Sequence, residues 1–422
     1  MIADQQIHPP PQPYDSGFAL AYASNTCLMI AVSLLFRYAD FVKLFGGGEF
    51  ELGWITGVGT VGALSARIVF GIGIDRFGSK AIWLISMALY VASLIWHTQI
   101  TTVFTAEVYV ARMLLLCGLA GAFGASLTFI SLSAPHGRAA EVIGMLGTSG
   151  FFGMAIGPWF GDLLFRNGTG ATAVANMFWL AVVFGSISLL LVIVIPHPKL
   201  DHAERKKKLT TGPRANLLTI VRQYHPGFLL CVAMAMGLGI SLPGIFLRPY
   251  CFEANIDSLG YFFLFYNLFA FIARMMTRTL PDRMGHKYAI LLGLVLSAIS
   301  MPLYLTVTNE WLLILPALTA GVSHAFLFPS VIASGGLAFP KQNRGLATTL
   351  MLACFDCGVL IGAPLVGTIL SAAAHWNLPK YQTMFLSVSA ILLTTALIFF
   401  AAGSSRLKTA DTENGNSQPR AE

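Results

Sequence analysis

Ionisable side chains are scarce in this 422-residue chain, and several of them stand inside long apolar runs. Asp356 sits in Cys354-Phe355-Asp356-Cys357, and His324 follows Gly321-Val322-Ser323. A carboxylate and an imidazole in such surroundings are suited to taking up and releasing a proton away from bulk water. Arg112 and Glu107, on a third run, are a second candidate pair for that task. Arg37 and Arg248 lie near the ends of apolar runs in the two halves of the chain. Two guanidinium groups facing one aqueous path would favour an anion. Asn25, Tyr266 and Asn267 add uncharged hydrogen-bonding groups. None of these residues has the spacing of a nucleophile with its base or of a metal cluster, so an enzyme is not expected, nor any metal or other cofactor. No Gly-x4-Gly-Lys-Ser/Thr phosphate loop occurs either.

These residues must be positioned by a chain of unusual composition. Hydrophobic residues make up 56% and Asp, Glu, Lys and Arg together 11%, less than half of the roughly 25% usual in soluble proteins. Soluble enzymes and nucleic-acid binders are thereby excluded. Apolar runs of about twenty residues recur from Gly17 to Ala402, each able to cross a hydrocarbon core about 30 Å thick. Twelve helices are expected near 17–38, 52–72, 81–99, 103–131, 141–165, 173–195, 227–249, 258–280, 288–306, 311–338, 345–371 and 381–402. The fold class is an all-α polytopic membrane protein, with the lipid bilayer as its first partner. Asp356 then lies about eleven residues into helix 11, roughly 17 Å deep, and His324 about thirteen residues into helix 10 from the other side, roughly 20 Å deep. The depths overlap near mid-membrane, where an ionisable group is costly and usually faces a wet cavity. Asp40, Glu107 and Asp162 fall near helix ends, within reach of water. Six cysteines, nearly all inside apolar runs, read as small buried hydrophobes and not as a disulfide framework.

The net charge of +7 is distributed by loop. Between Pro196 and His225 stand Lys199, Arg205, Lys206, Lys207, Lys208, Arg214 and Arg222, and the same side receives Arg76, Lys80, Arg138, Arg278, Arg283, Lys287, Lys341 and Arg344. The opposite loops hold only Lys43, Arg166 and Lys380. The positive-inside rule places both termini and the central linker in the cytoplasm, with the chain in a plasma (inner) membrane. The expected organisation is a cytoplasmic tail at 1–16, a six-helix bundle at 17–195, a basic linker at 196–224, a second six-helix bundle at 225–402 and a disordered cytoplasmic tail at 403–422.

The two halves repeat. Ala66-Arg67 followed by Asp75-Arg76-Phe77-Gly78-Ser79-Lys80 recurs 207 residues later as Ala273-Arg274 followed by Asp282-Arg283-Met284-Gly285-His286-Lys287. Parallel six-helix repeats with a solute site between them are a transporter architecture. Gly71-Ile72-Gly73-Ile74-Asp75-Arg76-Phe77-Gly78-Ser79-Lys80 resembles the loop signature of the major facilitator superfamily, Gly-x-x-x-Asp-Arg-x-Gly-x-Arg/Lys between helices 2 and 3. Gly144, Gly153, Gly157, Pro158 and Gly161 are similar to the helix 5 pattern that the superfamily associates with exporters and antiporters. Glycines four apart give a smooth face for close helix approach. Arg112 stands where the superfamily's drug and proton antiporters carry an arginine, although position 116 is leucine where their glycine falls, and the glycine here is Gly118.

The resemblance implies a secondary transporter of a small-molecule substrate, two pseudo-symmetric six-helix bundles working by alternating access, protons as the coupling ion, and function as a monomer. Proton-coupled export or antiport is the mode it favours. Coupling falls to Asp356, His324, Arg112 and Glu107, and the substrate cavity to Arg37, Arg248, Asn25, Tyr266 and Asn267. Arg67, Asp75, Arg76, Gly78 and Lys80, with Arg274, Asp282, Arg283, Gly285 and Lys287 in the second copy, are expected to form a cytoplasmic conformational latch. In that latch Gly78 allows a tight turn, and Asp75 meets a cation or a helix N-terminus across the interface. An organic-anion carrier is the alternative that Arg37 and Arg248 suggest. A non-transporting membrane sensor is an alternative of another class.

Overall fold

Helix boundaries follow the capping chemistry of the chain. The computed structural model describes residues 14–135, 138–168, 170–196, 217–276, 284–340 and 343–402; Asp282 and Arg283 of the second turn lie outside them. Helix 1 starts at Ser16, where the Asp15 carboxylate accepts from the Phe18 amide, and runs to Leu34. A 3-10 turn, Leu35–Arg37, and a further helical segment, Tyr38–Leu44, continue it. It thus extends six residues beyond the expected end, because Phe41 and Val42, each 1% exposed, prolong its buried face. Helices 2 to 6 are Glu49–Phe77, Ser79–His97, Ala106–Ser133, Ala139–Asn167 and Gly170–Val194. Helices 7 to 12 are Leu229–Glu253, Gly260–Met276, His286–Leu303, Ile314–Leu337, Arg344–His375 and Lys380–Ala402. Helix 2 is longer at both ends than its apolar run. Glu49 and Glu51 occupy its first turn and Arg76 its last, the order of charge that the helix dipole favours. A short helix, Leu217–Tyr224, lies within the basic linker region, where composition alone does not announce it.

Eleven of these spans are long and apolar enough to cross a membrane, and Gly260–Met276 is a shorter apolar helix. No strand occurs among the described residues. Helices satisfy most of their backbone polar groups internally, which is the form a multi-pass integral membrane protein requires.

Packing repeats as the sequence does. Helix 1 packs on helices 5 and 6, helix 4 on helices 2 and 3, and helix 3 on helix 6; each contact recurs six helices later. A buried ring pair recurs in each bundle, toward the end opposite the linker. His97 stacks on Phe178 with centroids 5.3 Å apart and Tyr304 on Phe385 at 4.7 Å, each partner displaced by the same 207 residues. The bundles meet along two seams that exchange under the repeat, helix 2 against helix 11 and helix 5 against helix 8.

The glycine face of helix 5 packs within its own bundle. A Cβ at Gly157 would overlap the Ser33 hydroxyl of helix 1, and one at Gly153 would overlap Met29. Gly161 lies against Arg37, whereas Gly144 meets nothing within 4 Å. In helix 11 a Cβ at Gly358 would overlap the Met234 carbonyl of helix 7. Overpacking of this kind costs about 1–3 kcal/mol. Gly157→Val and Gly358→Val are therefore each expected to lower the thermal unfolding midpoint in detergent, while Gly144→Val leaves it unchanged. Equal midpoints for all three variants would show that these helix contacts are not close-packed.

Candidate functional site

A cavity of about 240 Å³ lies between the bundles, walled by helices 1 to 5 from the first half and 7, 8, 10 and 11 from the second. Its polar wall groups include Thr56, Thr60, Tyr90, Arg112, Tyr266, Asn267 and His324; most of the rest is apolar. His324 Nδ1 and the Tyr266 hydroxyl share a hydrogen bond of 2.6 Å. Phe36 of helix 1 and Phe263 of helix 8 stack across the bundle boundary with centroids 4.3 Å apart, and both line the cavity.

Arg37 and Arg248 do not line it. Each is engaged by carboxylates that stand near helix ends, Asp40 and Asp162. Arg37, 3% exposed, donates to Asp162 through Nη2 at 2.7 Å and to Asp40 through Nη1 at 3.2 Å. It also reaches the Asp257 carbonyl of the second bundle at 3.1 Å. Arg248 donates through Nε to Asp40 across the boundary at 2.9 Å. Asp162, itself buried, accepts from the Ser258 hydroxyl and from the Gly260 amide at 2.8 Å, so a side chain of helix 5 caps the N-terminus of helix 8. Farther round the same face Lys380 donates to Glu49 at 3.0 Å, again between bundles. This layer of ion pairs seals the two halves together on the face opposite the linker.

A third interbundle ion pair lies deeper. Arg67 of helix 2 donates through Nε to Asp356 of helix 11 at 2.6 Å. The expected contact of Asp75 with a cation or a helix N-terminus across the interface is not formed among the described residues. Asp75 is exposed, with no hydrogen-bond or ion-pair partner among the described residues. Asp356 and His324 are not joined by a hydrogen bond; each has another partner. Arg274, the repeat mate of Arg67, is half-buried and close enough to His324 to act on it electrostatically. Glu107 is exposed and accepts from the Trp96 indole at 2.7 Å, away from Arg112. Asn25 donates to Ser149 inside the first bundle at 2.7 Å and is not on the cavity wall.

The repeated turn has the same geometry in both copies. Gly78 and Gly285 take φ values of 90° and 85°, a region that other residues rarely enter. Just beyond, Lys80 donates to the Ile193 carbonyl at the end of helix 6 at 3.0 Å, and Lys287 to the Phe400 carbonyl at the end of helix 12 at 3.2 Å. The acceptors are again 207 residues apart. Each lysine satisfies carbonyls that a helix end leaves open and complements its dipole. Arg76 lies over the Phe77 ring at 5.3 Å. Tyr90, Asp40 and the capping role of Asp162 are not legible from spacing; the only signal was their polarity within or beside apolar runs.

The sequence pattern of the Major Facilitator Superfamily matches residues 16–281 and 229–421, and the chain belongs to that family. It is a membrane transporter and not an enzyme. An uncharacterised MFS-type transporter of Methanocaldococcus jannaschii is 23% identical over 372 residues, covering 84% of this chain and 91% of the relative. A class E tetracycline resistance protein of Escherichia coli is 29% identical over 138 residues, 32% of this chain and 33% of that protein. Among solved structures, a D-xylose-proton symporter superposes with a TM-score of 0.71 at 15% identity, covering 90% of this chain and 96% of the other. The shared fold is that of a secondary transporter of small solutes.

Removing one partner of a buried ion pair costs about 3–5 kcal/mol, whereas an exposed pair is worth about 0–1 kcal/mol. Asp162→Asn is accordingly expected to lower the unfolding midpoint clearly, and Glu141→Gln, which breaks the exposed pair with Arg138, to leave it nearly unchanged. Thermal unfolding of the two purified variants makes the comparison. Similar midpoints would mean that the Asp162 network does not hold the bundles together.

Proposed function

We propose that the protein is a proton-coupled secondary transporter that exports a small solute by alternating access, with the Arg67–Asp356 pair as its coupling element. The observation that carries this reading is that pair itself, a carboxylate and a guanidinium 2.6 Å apart across the moving boundary between bundles. While Asp356 is ionised, the pair ties helix 2 to helix 11. A proton on Asp356 removes the charge that holds Arg67 and loosens the seam, so proton binding and bundle rocking become one event. The linker and termini face the cytoplasm by the positive-inside rule, the membrane is the plasma membrane, and the sealed face is the outer one. Helices 4 and 5 make no extensive contact with helices 10 and 11 among the described residues, consistent with an inward-facing state. The glycine pattern of helix 5 and the tetracycline resistance relative support export in exchange for protons. The proton symporter of like fold supports proton coupling of either sign. Each copy of the chain encloses its own cavity, which supports function as a monomer.

The test is transport in proteoliposomes against a panel of labelled sugars, nucleosides, organic anions and amphipathic cations. Under an imposed proton gradient the unmodified protein concentrates one member of the panel. Asp356→Asn, which cannot release a proton, is expected to lose accumulation down to the counterflow background while still exchanging labelled for unlabelled solute. Accumulation that survives in Asp356→Asn would show the pair to be structural only.

A further inference from the structure

Arg112 is a buried arginine with no ion-pair partner among the described residues. It is 9% exposed, on the cavity wall, with its guanidinium carbon 4.2 Å from the centre of the Tyr38 ring. Neither its Nε nor its Nη1 has a hydrogen-bond partner among the described residues. The ring face of Tyr38 attracts the cation but offers no acceptor for its N–H groups. Two more wall residues are in the same condition. The Tyr90 hydroxyl has no partner, and Asn267 donates its amide to the Phe263 carbonyl at 2.6 Å while its own carbonyl oxygen has none. Tyr90 lies near enough to Arg112 for the two to interact electrostatically. Buried polar groups of this kind are ordinarily satisfied, and a cluster of unsatisfied ones around a cavity calls for a ligand.

We infer that the cavity binds an apolar organic monoanion, its carboxylate received by Arg112 and the Tyr90 hydroxyl and its far end donating a hydrogen bond to the Asn267 carbonyl. This assignment of substrate class rests on the transport function proposed above. A planar guanidinium matches a carboxylate with parallel hydrogen bonds. One negative charge is indicated, because Arg112 is the one arginine on the cavity wall among the described residues, while Arg67 is held by Asp356, and Arg37 and Arg248 by Asp40 and Asp162. The apolar body follows from Phe36, Leu115, Leu116, Leu119, Met154 and Phe262 on the wall. Arg112 and Tyr90 belong to the first bundle and Asn267 to the second, so the bound solute bridges the two moving bodies. The anion reading thereby passes from Arg37 and Arg248, which are already neutralised, to Arg112, which is not.

Thermal unfolding of the purified full-length protein with 4-hydroxybenzoate as probe tests the assignment. A ligand that binds only the folded state raises the midpoint with its concentration. The probe is expected to raise it; 4-hydroxybenzamide, alike in shape but uncharged, is expected to have no effect, and benzoate, which lacks the hydroxyl donor, a smaller effect. Asn267→Ala should make 4-hydroxybenzoate and benzoate equivalent. Arg112→Gln should abolish the shift without lowering the midpoint of the unliganded protein, since an uncompensated charge is removed; a merely structural Arg112 would lower it. Should Arg112→Gln fail to fold, Arg112→Lys is expected to weaken the probe roughly tenfold, as a point charge replaces the planar fork. The proposal is overturned by absence of a shift with 4-hydroxybenzoate, by an equal shift with the benzamide or with chloride alone, by stabilisation only with tetraphenylphosphonium, or by unchanged affinity in the Arg112 variants. Binding is read without a proton gradient, so failure of the Asp356 coupling test leaves these outcomes separately legible.

Discussion

A buried charge is costly without a partner, and in this chain the partner repeatedly lies across the boundary between the two bundles. Asp40 joins Arg248, Asp162 joins the start of helix 8, and Arg67 joins Asp356. Apolar packing against lipid supplies little preference between one arrangement of two bundles and another, since the tails are as apolar as the helices. The ion pairs, costly to break in such surroundings, therefore decide how the halves sit. Those on the face opposite the linker fix a closed end, and the deeper pair fixes one of the two seams.

The repeat makes the mechanical parts symmetric and leaves the chemical parts unequal. Turn glycines, helix-capping lysines, stacked ring pairs and both seams recur with the duplication. The deep ion pair does not. On the helix 5–helix 8 seam Phe152 instead meets the Phe271 ring, with centroids 6.3 Å apart. One seam thus carries a titratable tie and the other an aromatic contact. A transporter needs such inequality, because two rigid bodies that move together still need one place where an ion can change their preference.

Lines of helical motif that look alike in sequence also turn out to act on different partners. The glycines of helix 5 and helix 11 bring each helix onto its neighbour within the same bundle, helix 1 and helix 7 respectively, while Gly53 and Gly57 of helix 2 bring it onto helix 11 across the boundary. Close approach inside a bundle makes it rigid. Close approach at a seam sets the surface on which one bundle moves over the other.

The sequence by itself determined the membrane class, the twelve helices, the duplication and the family, because each is written in local composition, in twenty-residue apolar runs or in a motif recurring at a fixed offset. It also marked Arg112, Asp356, His324, Tyr266 and Asn267 as groups too polar for their surroundings. Only the tertiary structure decided their partners. Arg67 and Asp75 share a helix face eight residues apart, yet Arg67 pairs with Asp356, 289 positions away; Arg37 and Arg248 read as free cations until Asp40 and Asp162 are brought against them. Hydropathy and spacing describe a residue's own helix, whereas an ion pair between bundles depends on how two helices cross. That crossing is set by the packing of the whole assembly and leaves no local mark in the chain.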